Sequence, residues 1–400
     1  MGERSAKPNN LTVLFVHQSS EMYGSDKVLL ALAIALEMLP GFRSLVVLPE
    51  KGPLYEALVA KGVETHAARL ARVTRASLRI RGAMKLLMNL FRGVIDINRI
   101  VAGRPIAVVH SNTLAVVSGS VWARCHGVPH LWHVHEIIRA PMIARKGLPL
   151  LVRWLSNSVV SNSTMTQAWL LSEQPNIKPR AEVVWNGLGP PPAPIDSDIA
   201  AFRRRVRVHP DQLLFALVGR INRWKGHWVF IEAAEILYDR GVESARFAIV
   251  GGHAVGYEGL AAALEARITR SRIRDRFSIL PYVEDVWTTW YASDVAVVPS
   301  IEPEPFGLVA IEAMAVGKPV IAARHGGLVD IVQDGTTGIL VEPGSARSLA
   351  DAMEVLAIDA SKRREFGLSG QRRQMAQFNL VTQVAHFAEI YRRLAGPRRA

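Results

Sequence analysis

The sequence predicts an α/β protein with two domains, each built around a parallel sheet. Short unbroken apolar runs rich in β-branched residues, of which Leu11–Val16 is the first, alternate with longer helical patterns. Such runs are typical of strands that helices cover on both faces. A proline-rich stretch at 187–198, GLGPPPAPIDSD, has no hydrophobic periodicity and indicates a linker between two halves. Alternating strands and helices in both halves indicate βαβ units.

The elements follow from this pattern in chain order. Strands of the first half are predicted over Leu11–Val16, Arg43–Leu48, Ile106–His110, Pro129–His133, Ser158–Ser161 and Ala181–Trp185, with a helix over Lys27–Leu39. Strands of the second half are predicted over Leu213–Val218, Phe247–Val250, Phe277–Ile279, Val295–Val298, Val320–Ala322 and Gly338–Val341, with helices over Gly226–Arg240 and Leu308–Val316. The tail after Gly370 has a helical apolar stripe. The expected domains are 1–190 and 199–375, followed by a C-terminal helix over 376–400.

Composition narrows the class of protein. The 400 residues are 49% hydrophobic and 21% charged, which excludes a disordered polyelectrolyte. The net charge of +13 points to an anionic partner, which could be nucleotide phosphates, nucleic acid or an acidic lipid surface. A single cysteine, Cys125, excludes an internal disulfide and a thiolate zinc site, and it fits a reducing compartment.

The start of the chain, MGERSAKPNN, lacks the apolar core of a signal peptide, and the sequence has no clean apolar run of about 18 residues. We therefore expect a cytoplasmic protein, and a peripheral position on the inner face of the membrane stays open.

The segment Pro299–Gly317, PSIEPEPFGLVAIEAMAVG, carries the strongest chemical pattern. A strand over Val295–Val298 leads into a loop, and we expect a helix to begin near Phe306. Amides at a helix start have no acceptor within the helix and bind anions. Glu304 at the helix entrance and Glu312 along its face would bind hydroxyl groups, since carboxylates only accept hydrogen bonds. A helix cap at Glu304 and a solvated Glu312 are the alternative interpretation.

A second loop places two cations beyond a strand end. The segment VGRINRWKGH at 218–227 has Arg220 just after the strand and Lys225 just before the next helix. Both side chains donate hydrogen bonds to phosphate oxygens, so the pair suits a diphosphate. Loop cations are more often solvated, and we interpret Arg223 in this way.

These segments resemble the glycosyltransferases of family 4. Their signature is an EPFG segment whose glutamate precedes a second glutamate by eight residues, and this chain has EPFG at 304–307 and EAMA at 312–315. Arg220 and Lys225 match the family's donor-phosphate pair. The resemblance covers nearly the whole chain and is closest from Gly219 to Gly344. It implies the GT-B architecture, in which two Rossmann-like domains face each other across a cleft and the last helix crosses back to the first domain.

The resemblance also implies an activity. It is retaining hexosyl transfer from a nucleotide diphosphate sugar, without a metal or other cofactor, to a glycan or lipid-linked acceptor, as in polysaccharide assembly. The expected donors are UDP- or GDP-linked sugars, and the base, the sugar, the acceptor and the oligomeric state are left open. The implied catalytic residues are His135, Arg220, Lys225 and Glu304. The implied donor-binding residues are Gly24, Arg220, Lys225, Val283, Phe306, Gly307, Leu308 and Glu312.

Several of these matches lie outside the two main segments. Gly24 belongs to YGSD at 23–26, where the family has Gly-Gly-x-Glu near the donor phosphates, so Tyr23 replaces a glycine. Val283 follows a strand and would meet the nucleobase through its backbone. His135, in HVHE at 133–136, matches a family histidine near the sugar-transfer centre, with His133 as second choice.

Other interpretations apply to the histidine-rich segments. A metal site at the two histidines of HVHE lacks a third ligand in the local sequence. The turn HSNT at 110–113 also resembles a family element, and it either contacts a sugar or is a turn stabilised by Asn112.

Two other functions within the GT-B fold stay open, a sugar-nucleotide epimerase and a non-catalytic scaffold. We expect no nucleic-acid partner, because no recognised binding motif is present and the basic stretch described next contains a single aromatic residue, Phe91.

The stretch Arg69–Arg104 contains nine basic residues, one acid, Asp96, and several interleaved leucine, methionine and phenylalanine residues. A basic amphipathic stretch suits an anionic bilayer surface or an acidic glycan. An ordinary solvated helix with a core-facing stripe is the alternative.

Overall fold

The structure is a computed structural model that describes residues 10–396 apart from 75, 76, 78 and 254–256. The chain divides into two compact units. The first consists of the described residues up to 189 and from 380 onward, and the second of those between 190 and 379.

Strands and helices alternate along both units. The strands of the first unit are β1 (Leu11–Val16), β2 (Phe42–Leu48), β3 (Glu64–Ala67), β4 (Val108–Asn112), β5 (His130–Val134), β6 (Ser158–Ser161) and β7 (Ala181–Val183). The strands of the second unit are β8 (Leu213–Val218), β9 (Ala245–Val250), β10 (Phe277–Leu280), β11 (Val295–Val298), β12 (Val320–Ala323) and β13 (Gly338–Val341). The helices are α1 (Gly24–Glu37), α2 (Pro53–Ala60), α3 (Ile80–Val101), α4 (Ser118–His126), α5 (Met142–Leu155), α6 (Thr164–Glu173), α7 (Asp196–Arg205), α8 (His227–Asp239), α9 (Glu258–Thr269), α10 (Val286–Ala292), α11 (Leu308–Ala315), α12 (Leu328–Ile331), α13 (Ala346–Ile358), α14 (Ala360–Gln377) and α15 (Leu380–Ala395).

The described residues of the first unit form a seven-stranded parallel sheet in the order β3-β2-β1-β4-β5-β6-β7. The strand order reverses between β1 and β4, and ligands of such sheets bind beyond the carboxyl ends of the strands at the reversal. Helix α15 completes this unit: Phe387 and Tyr391 have no exposed surface, and the Tyr391 hydroxyl forms a hydrogen bond of 2.7 Å with Nδ1 of His110.

The second unit forms a six-stranded parallel sheet in the order β10-β9-β8-β11-β12-β13, whose order reverses between β8 and β11. Its core contains an aromatic cluster in which the Phe230 and Phe247 rings meet edge to face at 5.8 Å. The reversal places the loops that follow β8 and β11 side by side.

The predicted α/β class with two parallel sheets is confirmed. Among the elements that the prediction did not place, two depart from the pattern on which it rests. Strand β3, ETHA, is an edge strand without an apolar run, and α7 begins at Asp196 inside the proline-rich stretch, where two acidic residues lie in its first turn. No helix within the described ranges is long and apolar enough to span a bilayer.

Candidate active site

The loop after β8 is shaped by one asparagine. Oδ1 of Asn222 accepts hydrogen bonds from the amides of Trp224 at 3.1 Å and Lys225 at 2.9 Å, which closes a tight turn. Gly226 follows in the left-handed conformation, with φ of +78°, and caps α8. This turn directs the Lys225 side chain toward the loop that follows β11.

Lys225 and Glu304 form an ion pair between the two loops at the reversal of the strand order. Nζ of Lys225 lies 2.6 Å from Oε1 of Glu304, and the two side chains are 14% and 6% exposed. The same oxygen accepts a hydrogen bond from Oγ of Ser300 at 2.5 Å. The backbones are also joined, because the amide of Ile301 donates to the carbonyl of Trp224 at 2.7 Å. The structure thus brings together two of the predicted site residues.

A glycine-rich turn after β12 supports the Glu304 loop. The amide of Gly327 donates to the backbone oxygen of Glu304 at 2.7 Å, and Nε2 of His325 lies 2.7 Å from the carbonyl of Ser300. Gly326 has φ of +62°, and a Cβ there would lie 2.3 Å from the Glu304 oxygen. Only glycine fits this approach.

Helix α11 begins at Leu308, which matches the predicted range of 308–316 and lies two residues after the start expected near Phe306. The physical reason is Gly307, whose φ of +116° is outside the helical region, so that it caps the helix instead of opening it. Within the described residues, the amides of Phe306, Gly307 and Leu308 donate to no intramolecular acceptor. Three backbone N–H donors therefore follow Glu304 directly in the sequence, at the amino end of a helix.

The other predicted residues of the second unit occupy separate positions. Glu312 is buried in α11, and its Oε2 lies 3.4 Å from Nε1 of Trp290, which is a long contact. Arg220 is exposed two residues beyond β8. Val283 lies three residues beyond β10, a strand that β9 separates from β8.

Gly24 and His135 belong to the first unit. Gly24 is the exposed first residue of α1. His135 follows β5 and is 8% exposed, and its Nε2 lies 3.0 Å from Oδ1 of Asn112. Burial, together with the nearby His17, lowers the pKa of His135 to about 3, so the ring is neutral at physiological pH.

His133 and His135 lie side by side, with ring centroids 3.9 Å apart. Both ring nitrogens of His133 are buried and have no hydrogen-bond partner among the residues that the structure describes, and burial lowers its pKa well below the usual value. Across the described part of the chain, no three His, Cys, Asp or Glu side chains are grouped as metal ligands.

Residues 198–373 match the family model of the Glycosyl transferases group 1. The D-inositol 3-phosphate glycosyltransferase of Xylanimonas cellulosilytica is 35% identical over 204 residues, which are 50% of this chain and 47% of that protein. The chain spans about half the length of the curated relatives it matches. The matched family range contains Arg220, Lys225, Val283, Glu304 and Glu312.

Solved structures match almost the full length. The structure of Anabaena HepE in complex with UDP and glucose has a TM-score of 0.81 at 23% identity. The match covers 95% of this chain and 99% of HepE. A glycosyltransferase of Rickettsia africae has a TM-score of 0.82 at 19% identity, and the match covers 98% of this chain and 100% of that protein. These likenesses show the fold, and the expected GT-B class with two Rossmann-like domains is confirmed. The matching family model and the curated relatives are named as glycosyltransferases, so the expected enzyme class is confirmed.

Sequence reasoning missed the residues that hold the site in place. Asn222 carries a weak signal, since asparagine followed by a glycine-containing loop favours a turn. The segment His325-Gly326-Gly327 indicates a turn, but the contacts of Ser300 and His325 with the Glu304 loop depend on the alignment of β11 and β12 and carry no local signal.

Gly226→Ala tests the approach of the two loops. A Cβ at Gly226 would lie 2.0 Å from the Pro299 carbonyl oxygen, whereas one at Gly241, whose φ of +85° is similar, would meet no atom within 4 Å. Both alanines adopt an unfavourable φ, but only Gly226→Ala must displace the Glu304 loop. We expect it to destabilise the protein by about 1–3 kcal/mol more than Gly241→Ala in urea unfolding. Equal losses would contradict the close packing of these loops.

Proposed function

We propose that this protein is a retaining glycosyltransferase that moves a sugar from a nucleotide diphosphate sugar to a glycan or lipid-linked acceptor, without a metal. The Lys225–Glu304 pair at the reversal of the strand order carries the proposal, because it places a cation and a hydroxyl-binding carboxylate 2.6 Å apart. The family model matched by residues 198–373 supports the same class.

The proposed role of the cations follows from the charge that the reaction develops. Breaking the sugar–phosphate bond leaves negative charge on the departing diphosphate. Arg220, Lys225 and the amides of Phe306, Gly307 and Leu308 stabilise that charge, since preorganised donors in a site of low polarity need little reorganisation. A metal ion is not required in this scheme.

The carboxylates bind the hydroxyl groups of the donor. Glu304, whose backbone and carboxylate are both held, binds sugar hydroxyls, and the buried Glu312 binds the ribose. Val283 meets the nucleobase through its backbone. In the first unit, resemblance assigns Gly24 to the donor phosphates and His135 to the sugar-transfer centre.

A UDP-linked sugar is the first donor to test. HepE, which shares the fold, is described in complex with UDP, with UDP and glucose, and with UDP-glucose. A thermal-shift screen of UDP-, GDP- and ADP-sugars identifies the donor by the rise in melting temperature. Release of nucleoside diphosphate only when an acceptor is added distinguishes a transferase from an epimerase or a scaffold.

We propose further that the first unit binds an anionic membrane surface through α3. The first three turns of this helix expose Ile80, Met84, Leu87, Met88 and Phe91, whose side chains are between 46% and 84% accessible. Their spacing places them on one stripe of the helix, since side chains repeat at about 100° per residue.

Cations flank this stripe. Arg81, Lys85 and Arg92 are exposed and lie along one side of it, whereas the core-facing residues Gly93 and Ile97 lie on the opposite face. Apolar side chains beside cations are typical of a helix lying in the surface of an anionic bilayer.

Part of the basic stretch does not serve this surface. Arg69 pairs with Asp96 at 2.9 Å and Arg104 with Glu64 at 2.8 Å, and Arg75 lies outside the described residues. The proposed contact therefore narrows from Arg69–Arg104 to the amino-terminal half of α3, on a protein peripheral to the inner face of the membrane.

Arg220→Ala should reduce the release of nucleoside diphosphate by on the order of 10²–10³, because one preorganised donor to the leaving group is lost. Arg223→Ala, which removes an exposed arginine from the same loop, is the matched control and should retain activity. All assays contain EDTA, in which the wild type should remain active.

Lys225→Ala should reduce the release of nucleoside diphosphate as much as Arg220→Ala does. It should also lower the melting temperature, since Glu304 loses its counter-ion. Full activity of the Arg220 and Lys225 variants would refute the donor-site assignment.

Glu304→Gln should impair sugar transfer more than nucleotide binding. The amide keeps the shape of the carboxylate but accepts fewer hydrogen bonds from sugar hydroxyls. We expect turnover to fall at least tenfold while calorimetry with the free nucleoside diphosphate gives an affinity within about twofold of the wild type. Equal losses of both would contradict the assigned role.

Co-sedimentation with phosphatidylglycerol vesicles should exceed that with phosphatidylcholine vesicles and weaken in salt. The double variant Leu87→Glu, Phe91→Glu should lose this binding. Ile358→Glu with Val381→Glu adds the same charge at two other exposed apolar residues and should retain it. Equal binding to both lipids, or a dimer that dissociates in the α3 variant, would overturn the membrane proposal.

A further inference from the structure

A buried chain of hydrogen bonds in the first unit leads from the start of α1 to His135. His17, directly after β1, has Nε2 2.6 Å from Oδ1 of Asp26 and Nδ1 2.7 Å from the backbone oxygen of Asn112. Asn112 ends β4, and its side-chain oxygen lies 3.0 Å from Nε2 of His135. These four residues are at most 8% exposed. The chain joins three segments at the carboxyl ends of β1, β4 and β5.

The carbonyl of Ser25 decides how the Asn112 amide is oriented. It lies 3.2 Å from Nδ2 of Asn112 and can only accept a hydrogen bond, so the NH₂ group must face it. Oδ1 of Asn112 therefore faces His135, and Nε2 of that histidine must carry a proton to donate. Because burial keeps the ring neutral, Nδ1 carries none.

His17 and Asp26 hold Asn112 from behind. The backbone oxygen of Asn112 only accepts, so Nδ1 of His17 carries a proton, and a second proton is shared between Nε2 and the Asp26 carboxylate. The other carboxylate oxygen accepts the amide of Tyr23 at 2.8 Å. The backbone at Asn112 is thereby tied to the first turn of α1.

We propose that Asn112 is a positioning residue that holds His135 as the Nε2–H tautomer and leaves Nδ1 as an unprotonated acceptor. The inference rests on the proposed function, which assigns His135 to the sugar-transfer centre. In this tautomer His135 accepts a hydrogen bond from a sugar hydroxyl through Nδ1, while its one N–H remains engaged by Asn112. The amide of Asn162 lies 3.5 Å from Nδ1, which is too long to fix the proton by itself.

The tautomer is measured directly by NMR of the full chain with ¹⁵N-labelled histidine rings. The ¹⁵N shifts distinguish protonated from unprotonated ring nitrogens, and a His135→Gln variant identifies the resonances of His135 among the 12 histidines. In the wild type we expect a protonated Nε2 and an unprotonated Nδ1. The opposite tautomer, or a mixture, overturns the proposal without any variant.

Asn112→Ala should convert His135 to a mixture of tautomers and lower turnover by about 10- to 100-fold, as is typical when an orienting hydrogen bond is lost. The loss should fall on kcat, with KM for the donor within about twofold. Asn157→Ala is the matched control, because Oδ1 of Asn157 accepts the amide of a neighbouring histidine, His130, at 2.9 Å. It should leave both the His135 resonances and turnover unchanged.

An unchanged His135 tautomer in Asn112→Ala overturns the proposal, and so does a changed tautomer with full turnover. The proposed function fails separately. A wild type that shows the expected tautomer but transfers no sugar from any donor refutes the enzymatic assignment and leaves the hydrogen-bonded chain as described.

Discussion

The ion pair between Lys225 and Glu304 is the constraint on which the site of the second unit depends. Two nearly buried charges lose much of their hydration, and their attraction compensates only when further hydrogen bonds hold them in place. Ser300 supplies one such bond to the carboxylate, and the backbone bond from Ile301 to Trp224 fixes the two loops. The tight turn at Asn222 fixes the loop that carries Lys225, and the glycine turn after β12 fixes the loop that carries Glu304.

Regular elements were predictable where burial determines the residue type, and the site was predictable only where a motif is contiguous. Strands such as Leu11–Val16 and Val295–Val298 are covered on both faces, so their apolar runs give the observed bounds. Strand β3 lies at the sheet edge and needs no such run. Glu304 and Lys225 stand in recognisable segments, but their pairing joins residues 79 positions apart. Further contacts with the Glu304 loop come from the loop after β12, and no local sequence pattern predicts these contacts.

In the first unit, buried histidines lie where the strand order reverses. Five histidines lie buried at or next to the carboxyl ends of β1, β4 and β5 or within these strands: His17, His110, His130, His133 and His135. For the last four, burial lowers the pKa, so they contribute neutral rings. Each buried polar ring costs free energy unless it is hydrogen-bonded. Within the described part of the chain both nitrogens of His133 lack a partner, so its burial carries this cost.

In the proposed reaction, the different charge states of the two units give them different tasks. A neutral histidine fixed in one tautomer offers direction and a lone pair, but it cannot offset the negative charge of a departing diphosphate. Arginine and lysine do offset it, because they remain cationic at neutral pH. In the proposed reaction, stabilisation of the leaving group therefore falls to the second unit, in which Arg220, Lys225 and the start of α11 lie. The proposed roles toward sugar hydroxyls differ in the same way, since Glu304 in the second unit is a carboxylate and His135 in the first is a neutral acceptor positioned by Asn112.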